Sequence, residues 1–275
     1  MSEQAYTEHD VIVDGISLHY RDTGATMTDK TPVVLLLHAN SVHGGEFELQ
    51  LNDDAFSSCR LIAIDLPGHG QSAKLRPEAY SLQTYGRLIS GLLQALAVTP
   101  DVLVGWSLGG HLAISMLPLL PETKGILIFG TPPLTGVQAM ASAFTASDAL
   151  PLGNSTSLSE SECGLYAAFY ISTPRPELVK RFARDVQATD QAARGAASNS
   201  ELADELAILN STPARVAVLH GEHDRFVNFG YLSSLAFASL WRNDIQVIPG
   251  VGHAPNWEAP EAFNGLLQAF ISEVI

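Results

Sequence analysis

Gly105-Trp106-Ser107-Leu108-Gly109 decides the fold of this 275-residue chain. The stretch follows the apolar run 102–104 and precedes a helix-like segment, which is the strand-to-helix context that a Gly-x-Ser-x-Gly turn requires. Side chains at Gly105 and Gly109 would collide with the neighbouring strand and helix. The start of the helix would also aim free N–H groups at the serine, where they would stabilise a developing oxyanion. The pattern predicts Ser107 as a nucleophile.

A serine nucleophile needs a histidine to take its proton and a carboxylate to orient that histidine, in the chain order Ser, Asp or Glu, His. Asp224 lies in the turn that follows the strand-like run 215–219, and we assign it as the acid. Glu222, in the same turn, remains an alternative. His253 follows the short apolar run 245–248, and we assign it as the base.

An oxyanion loop is predicted after the apolar run 33–37, in the stretch His38-Ala39-Asn40-Ser41. One backbone N–H would come from Asn40 and the other from Leu108, directly after the nucleophile. We interpret His38 as a buried histidine that holds this loop by hydrogen bonds. His43 lies in the same loop region and is a candidate substrate contact.

Strand-like runs alternate with helical segments along most of the chain, which predicts an α/β fold with a mostly parallel sheet flanked by helices. Such sheets carry their sites at the carboxyl ends of the strands, where the candidate residues lie. The alternation stops between about Leu134 and Ser211. We therefore predict a core at 1–133 and 212–275, with a helical cap inserted at 134–211.

Apolar and aromatic side chains of the predicted cap are candidates for the wall of an acyl pocket. The alternative is that most of them form the cap's own core, since large apolar residues are usually buried. These residues are Met140, Phe144, Leu150, Tyr166, Phe169 and Tyr170.

Composition excludes several classes of function. The net charge of −14 and the absence of any basic run argue against nucleic acid and anionic membranes as partners. No apolar stretch is long enough to span a bilayer and no export signal is visible, so a cytoplasmic location is expected. Cys59 and Cys163 are too far apart for a zinc motif and are expected to be free thiols.

Several motifs together resemble the α/β-hydrolase superfamily, and a subset is similar to the N-acyl-homoserine lactonases of that fold, which are quorum-quenching enzymes. The resemblance implies Ser107, Asp224 and His253 as the triad, and Asn40 and Leu108 as oxyanion donors. It also implies Tyr166 as a substrate contact; the other substrate-binding candidates are Tyr170, Phe144 and Trp106. The motifs are His38-Ala39-Asn40, the run Asp65 to Ser72, Gly105 to His111, Gly130-Thr131-Pro132-Pro133, Gly221 to Asp224, Phe226-Val227, Leu240-Trp241 and Gly252 to Pro255.

The implied activity is the opening of an N-acyl-homoserine lactone through an acyl-enzyme, with no metal or other cofactor. The implied partner is a small ester or lactone with an apolar acyl group, and the oligomeric state is left open. The alternatives are a carboxylesterase or carbon–carbon bond hydrolase with the same triad, a cofactor-free dioxygenase, and a non-catalytic ligand receptor. The superfamily usually has glycine at Ala39; if φ is positive there, alanine costs about 1 kcal/mol and reshapes the loop.

Overall fold

Eight strands form one sheet in the computed structural model, which describes residues 5–24, 31–173, 175–196, 199–201 and 203–275. The strand order is β1-β2-β4-β3-β5-β6-β7-β8. β2 pairs antiparallel with β1 and β4, and all other pairs are parallel, as the sequence predicts. The strands are β1 Thr7–Val13, β2 Ile16–Asp22, β3 Val33–Leu37, β4 Arg60–Ile64, β5 Val102–Trp106, β6 Gly125–Phe129, β7 Arg215–Gly221 and β8 Gln246–Ile248.

The central strands are apolar on both faces because helices cover both sides of the sheet. β3, β5 and β6 are buried at every position, which is typical of parallel sheets. Successive side chains of a strand point to opposite faces. Leu35 and Leu37 accordingly belong to one core cluster, with α2 and α3, whereas Val34 and Leu36 belong to the other, with α10.

Ten α-helices and several short 3-10 turns are present in the described part of the chain. The α-helices are α1 Glu48–Leu51, α2 Leu82–Ala95, α3 Leu108–Met116, α4 Met140–Ala143, α5 Glu160–Phe169, α6 Pro176–Ala188, α7 Glu205–Ser211, α8 Phe229–Ser234, α9 Pro255–Glu258 and α10 Pro260–Val274. Among the described residues, none of these helices combines the length and apolarity that crossing a membrane would require.

Helices α4 to α7 fill the connection between β6 and β7, where the cap is predicted. Ser159 and Glu162 form a reciprocal capping box that starts α5, and α5 packs against α6. Arg181 of α6 binds Glu46 and Glu48 of the core through paired hydrogen bonds of 2.8–3.1 Å. α7 packs on α3, so the last part of the insertion lies directly against the helix that follows Ser107.

Candidate active site

Ser107 stands on a strained turn between β5 and α3, with φ 53° and ψ −115°. Its backbone N–H donates to the carbonyl of Phe129 at 2.9 Å. A Cβ atom on Gly105 would lie 2.4 Å from the Cα atom of Gly110, and one on Gly109 would lie 2.1 Å from the carbonyl oxygen of Leu37. The glycines are therefore required by close backbone approach, and the turn holds the Ser107 side chain at the end of the strand.

Asp224 and His253 form a buried pair, with 2.8 Å between Asp224 Oδ2 and His253 Nδ1. Burial by itself would raise the pKa of Asp224. The charge and hydrogen bond of His253 outweigh it, together with the N–H of Phe226 at 2.8 Å, and hold that pKa below its usual value. An ionised Asp224 fixes the proton on Nδ1 and leaves Nε2 as the proton acceptor. Glu222 is exposed and binds the N–H of Gly250 instead, which favours Asp224 as the acid.

The His253 ring is fixed from several sides. The indole N–H of Trp106 donates to the His253 carbonyl at 2.8 Å. The ring of Phe226 packs edge-on with 4.8 Å between ring centroids, and the ring of Tyr170 lies at 5.4 Å. Gly130, with φ +59°, leaves the space that the imidazole occupies, because a Cβ there would lie 2.7 Å from His253 Cε1.

The two predicted oxyanion donors lie beside Ser107. Leu108 begins α3, so its N–H has no acceptor inside the helix. The backbone N–H of Asn40 donates to no acceptor in the part of the chain that the structure describes. The Asn40 side chain is fixed by donation to the carbonyl of Gly153 at 2.7 Å, and the Tyr170 hydroxyl donates to the Asn40 carbonyl. Both N–H groups therefore remain candidates for an oxyanion hole.

Alanine at position 39 fits the loop without strain. Ala39 is absent from the described non-glycine residues with positive φ, and the left-handed residue of this loop is Ser41, with φ 62°. The Ser41 hydroxyl donates a hydrogen bond to Asn40 Oδ1 at 3.2 Å. The expected cost of alanine therefore does not arise, because the turn places its left-handed residue two positions later.

A cavity of about 420 Å³ extends from Ser107 to residues of the predicted cap. Its walls are mostly apolar, with a few polar groups that converge near the nucleophile. It is lined by Asn40, Leu82, Ser107, Leu108, His111, Leu134, Met140, Ala141, Phe144, Leu150, Gly153, Asn154, Tyr166, Phe226 and His253. Such a cavity suits a small, largely apolar ligand.

The cavity separates the predicted substrate-binding residues into two groups. Phe144 and Tyr166 line it. Trp106 and Tyr170 do not line this cavity, and both are almost fully buried. Trp106 supports His253 and Tyr170 supports Asn40, so both position other residues of the site.

His38 and His43 lie outside the cavity wall. His38 is fully buried: Nδ1 donates to the Ala39 carbonyl at 2.7 Å, and Nε2 accepts from the N–H of Leu66 at 2.9 Å. Burial lowers the pKa of His38 well below its usual value, in keeping with a structural role. His43 faces Asp185 of α6, with 3.5 Å between His43 Nε2 and Asp185 Oδ1, and not the cavity.

His111 is a titratable residue of the cavity that sequence reasoning did not assign to the site. It lines the cavity one helical turn after Ser107, and Glu205 of α7 holds its Nδ1. The i to i+4 spacing was a signal that His111 shares a helix face with the nucleophile. The partner carboxylate lies 94 residues away in the sequence, so only the folded chain shows the pair.

Comparison with known proteins agrees with this fold. A model of the alpha/beta hydrolase family matches residues 34–266. A 2-hydroxy-6-oxononadienedioate/2-hydroxy-6-oxononatrienedioate hydrolase of Paraburkholderia phymatum is 25% identical, over 99% of this chain and 98% of that protein. A pimeloyl-[acyl-carrier protein] methyl ester esterase of Xanthomonas oryzae pv. oryzae is 28% identical, over 88% and 96% of the two chains.

Solved structures extend the comparison. A mutant of the N-acyl homoserine lactonase AidH, complexed with N-hexanoyl homoserine, superposes with a TM-score of 0.87 at 29% identity, over 98% of this chain and 97% of that chain. A second AidH mutant, complexed with N-hexanoyl homoserine lactone, gives a TM-score of 0.86 at 28% identity, over 98% of each chain. The match of the family model across most of the sequence, on an α/β-hydrolase fold, shows that this chain is a hydrolase and belongs to the alpha/beta hydrolase family.

Proposed function

We propose that this chain is a serine hydrolase that opens the lactone ring of N-acyl-homoserine lactones through an acyl-enzyme on Ser107. The observation that carries the proposal is one cavity lined by Ser107, His253, Asn40 and Leu108 beneath an apolar cap. A nucleophile, a base and two oxyanion donors at one surface are the parts that acyl transfer needs. The resemblance to AidH across the whole chain supports the lactone as substrate.

In the proposed first step, His253 Nε2 takes the Ser107 proton while Oγ bonds to the lactone carbonyl carbon. The backbone N–H groups of Asn40 and Leu108 hold the oxyanion that forms. Collapse of the tetrahedral intermediate breaks the bond between the carbonyl carbon and the ring oxygen, and His253 returns the proton to that oxygen. The leaving alcohol stays attached, so the acyl-enzyme carries a free hydroxyl at the far end of the opened ring.

In the second step, a water molecule takes the place of the leaving oxygen. His253 accepts one proton from this water, the resulting hydroxide bonds to the acyl carbon, and the Ser107 Oγ bond to that carbon breaks. The proton on His253 then returns to Ser107. Asp224 remains ionised and stabilises the charged imidazole in both steps. The product is the N-acyl-homoserine acid, and no metal or other cofactor enters these steps.

The composition of the cavity favours a neutral substrate. The substrate in the name of the Paraburkholderia relative is a dioate, which carries two carboxylates. Among the described residues that line the cavity, none is lysine or arginine. A carboxylate buried there without a cationic partner would be costly. A lactone with an apolar acyl chain meets no such cost.

A carboxylesterase acting on neutral esters is the second candidate. The 28% identical relative is named a methyl ester esterase, and a neutral ester would meet the same nucleophile and the same apolar wall. The leaving group distinguishes the two reactions, because an ester releases its alcohol at acylation whereas a lactone retains it. Relative rates on matched substrates therefore decide between them.

The test is acid release from N-butanoyl-, N-hexanoyl- and N-decanoyl-homoserine lactone, with p-nitrophenyl butyrate beside them. We expect lactone opening by the wild type, lowered about 1,000-fold or more by Ser107→Ala and Asp224→Asn. Glu222→Gln is the matched control, because this exposed carboxylate in the same turn should be dispensable.

Other outcomes identify the alternatives. Ester turnover far above lactone turnover would replace the lactonase with an esterase. Oxygen uptake with a heteroaromatic substrate that survives Ser107→Ala would indicate a cofactor-free dioxygenase. Saturable lactone binding with no turnover by the wild type would indicate a ligand receptor.

A further inference from the structure

A second histidine–carboxylate pair faces the cavity that contains Ser107. His111 Nδ1 lies 2.8 and 2.9 Å from the two carboxylate oxygens of Glu205. Glu205 is 4% exposed, and its Oε2 also accepts the N–H of Leu134 at 2.7 Å. The triad as proposed makes no use of this pair, so it requires a separate explanation.

The pairing decides which nitrogen of His111 reaches the cavity. An ionised carboxylate only accepts hydrogen bonds, so Nδ1 carries the proton and a neutral ring presents Nε2 as an acceptor. Nε2 bonds to no residue of the described chain, and it is not among the buried polar atoms that lack a partner. Nε2 is therefore accessible, and His111 lines the cavity beside apolar residues such as Leu134 and Phe144.

We propose that His111 Nε2 accepts a hydrogen bond from an amide N–H on the carbon next to the scissile carbonyl. His111 is then a specificity-determining residue for acylamino-substituted substrates. This inference rests on the proposed function and names the group by which the site would recognise its substrate. An N-acyl-homoserine lactone has one N–H, and that N–H is its only strong hydrogen-bond donor.

The spacing along α3 suits this contact. In an N-acylamino lactone the nitrogen is about 2.5 Å from the scissile carbon, by ordinary bond lengths and angles. A hydrogen bond of about 3 Å added to that distance spans about 5.5 Å. Ser107 caps α3 and His111 is the fourth residue of that helix, and both residues line the same cavity. A substrate whose carbonyl lies at Ser107 therefore has its amide N–H on the side of the cavity that includes His111 within this short reach.

The test compares N-hexanoyl-homoserine lactone with the analogue in which an ester oxygen replaces the amide N–H, with ring opening followed by chromatography. The ester oxygen keeps the shape of the substrate, but it presents a lone pair to His111 Nε2 where the amide presents an N–H. We expect the wild type to prefer the amide by about tenfold or more in kcat/KM, the scale of one hydrogen bond formed away from water.

The enzyme variant must avoid an unpaired buried carboxylate. The double variant His111→Phe/Glu205→Gln removes the acceptor and the charge together, and we expect the amide preference to fall to about one. Met140→Leu, a change in an apolar wall of the same cavity, is the control and should change both rates by the same factor. An amide preference that persists in the double variant would overturn the proposal.

The same design separates this inference from the proposed function. If the wild type opens no lactone, the lactonase proposal fails, and the comparison is repeated with methyl N-hexanoylglycinate and its ester-oxygen analogue. A preference for the amide that depends on His111 in this second pair would support the inference. The inference would be overturned if each enzyme, the wild type and the double variant, turned over the amide and its ester-oxygen analogue at equal rates. It would also be overturned if neither pair of compounds were turned over.

Discussion

Gly130 offers a direct test of how closely the catalytic histidine candidate is held. This residue follows β6 with φ +59°, and a Cβ on it would lie 2.7 Å from His253 Cε1 and 3.0 Å from His253 Nδ1. To regain an ordinary contact of 3.4 Å, the ring would have to move by about 0.7 Å. Its hydrogen bond to Asp224 and the packing of Phe226 oppose that movement. Gly130→Ala should therefore disturb the catalytic geometry.

Gly130→Ala should affect both the folding free energy and kcat, and the two effects are measured separately. The left-handed conformation should cost alanine about 1–2 kcal/mol of folding free energy. A catalytic group displaced by about 1 Å can lower the rate about 100-fold. We therefore expect Gly130→Ala to lower kcat by about 30- to 100-fold on the preferred ester or lactone, with a much smaller change in KM.

Gly15→Ala is the matched control for this experiment. Gly15 lies in the β1–β2 turn with φ +79°, and a Cβ atom added to it would meet no heavy atom within 4 Å. Gly130→Ala should lose at least as much thermal stability as Gly15→Ala, because it also crowds a buried ring, and only Gly130→Ala should lose kcat. If the kcat values of Gly130→Ala and Gly15→Ala differ by less than about threefold, His253 is not constrained in the way the structure implies.

Two further predictions concern the support of the site. Trp106→Phe should lower kcat and cost about 1–3 kcal/mol of unfolding free energy, because it leaves the buried His253 carbonyl without its donor; unchanged kinetics would contradict the assigned role. Burial is the main cause that raises the pKa of Glu46 from 4.5 to about 8, and the negative charge of Asp185 raises it further. The positive charge of Arg181 lowers this pKa but does not cancel the rise. The folded state then keeps a proton that the unfolded state releases near pH 4.5, so the free energy of unfolding should fall between about pH 5 and 8, by at most about 5 kcal/mol. Denaturant unfolding across this range should show a shallower fall in Asp185→Asn, and equal slopes would refute the linkage.

Local backbone requirements explain why the turn at Ser107 could be predicted from the sequence. Gly105 and Gly109 are needed because backbone atoms approach too closely for any Cβ, and this constraint acts within a few residues. Asp224 and His253 could be assigned because parallel strands bring their carboxyl ends to one edge of the sheet. The alternation of strands and helices likewise predicted the sheet, since a parallel arrangement needs a crossover between strands.

Side-chain direction and long-range pairing could not be predicted in the same way. Trp106 neighbours Ser107 in the sequence, but adjacent residues of a strand point to opposite faces. Its indole packs beneath the site with Phe129, at 5.7 Å between ring centroids. The pairing of His111 with Glu205 depends on how α7 packs against α3. No pattern within either segment encodes that packing.

The inserted helices take part in the proposed chemistry as well as in binding. The Gly153 carbonyl fixes the Asn40 side chain, and the Tyr170 hydroxyl binds the Asn40 carbonyl, so residues of the predicted cap orient the loop that carries one oxyanion donor. Glu205, from the same insertion, orients His111 in the cavity wall. In the proposed mechanism, the contacts to Asn40 support the transition state and the contact to His111 supports substrate recognition. Changes in this insertion should therefore alter kcat and KM separately. A cap exchanged between relatives would therefore preserve turnover only if the contacts that Gly153 and Tyr170 make with Asn40 are carried over with it.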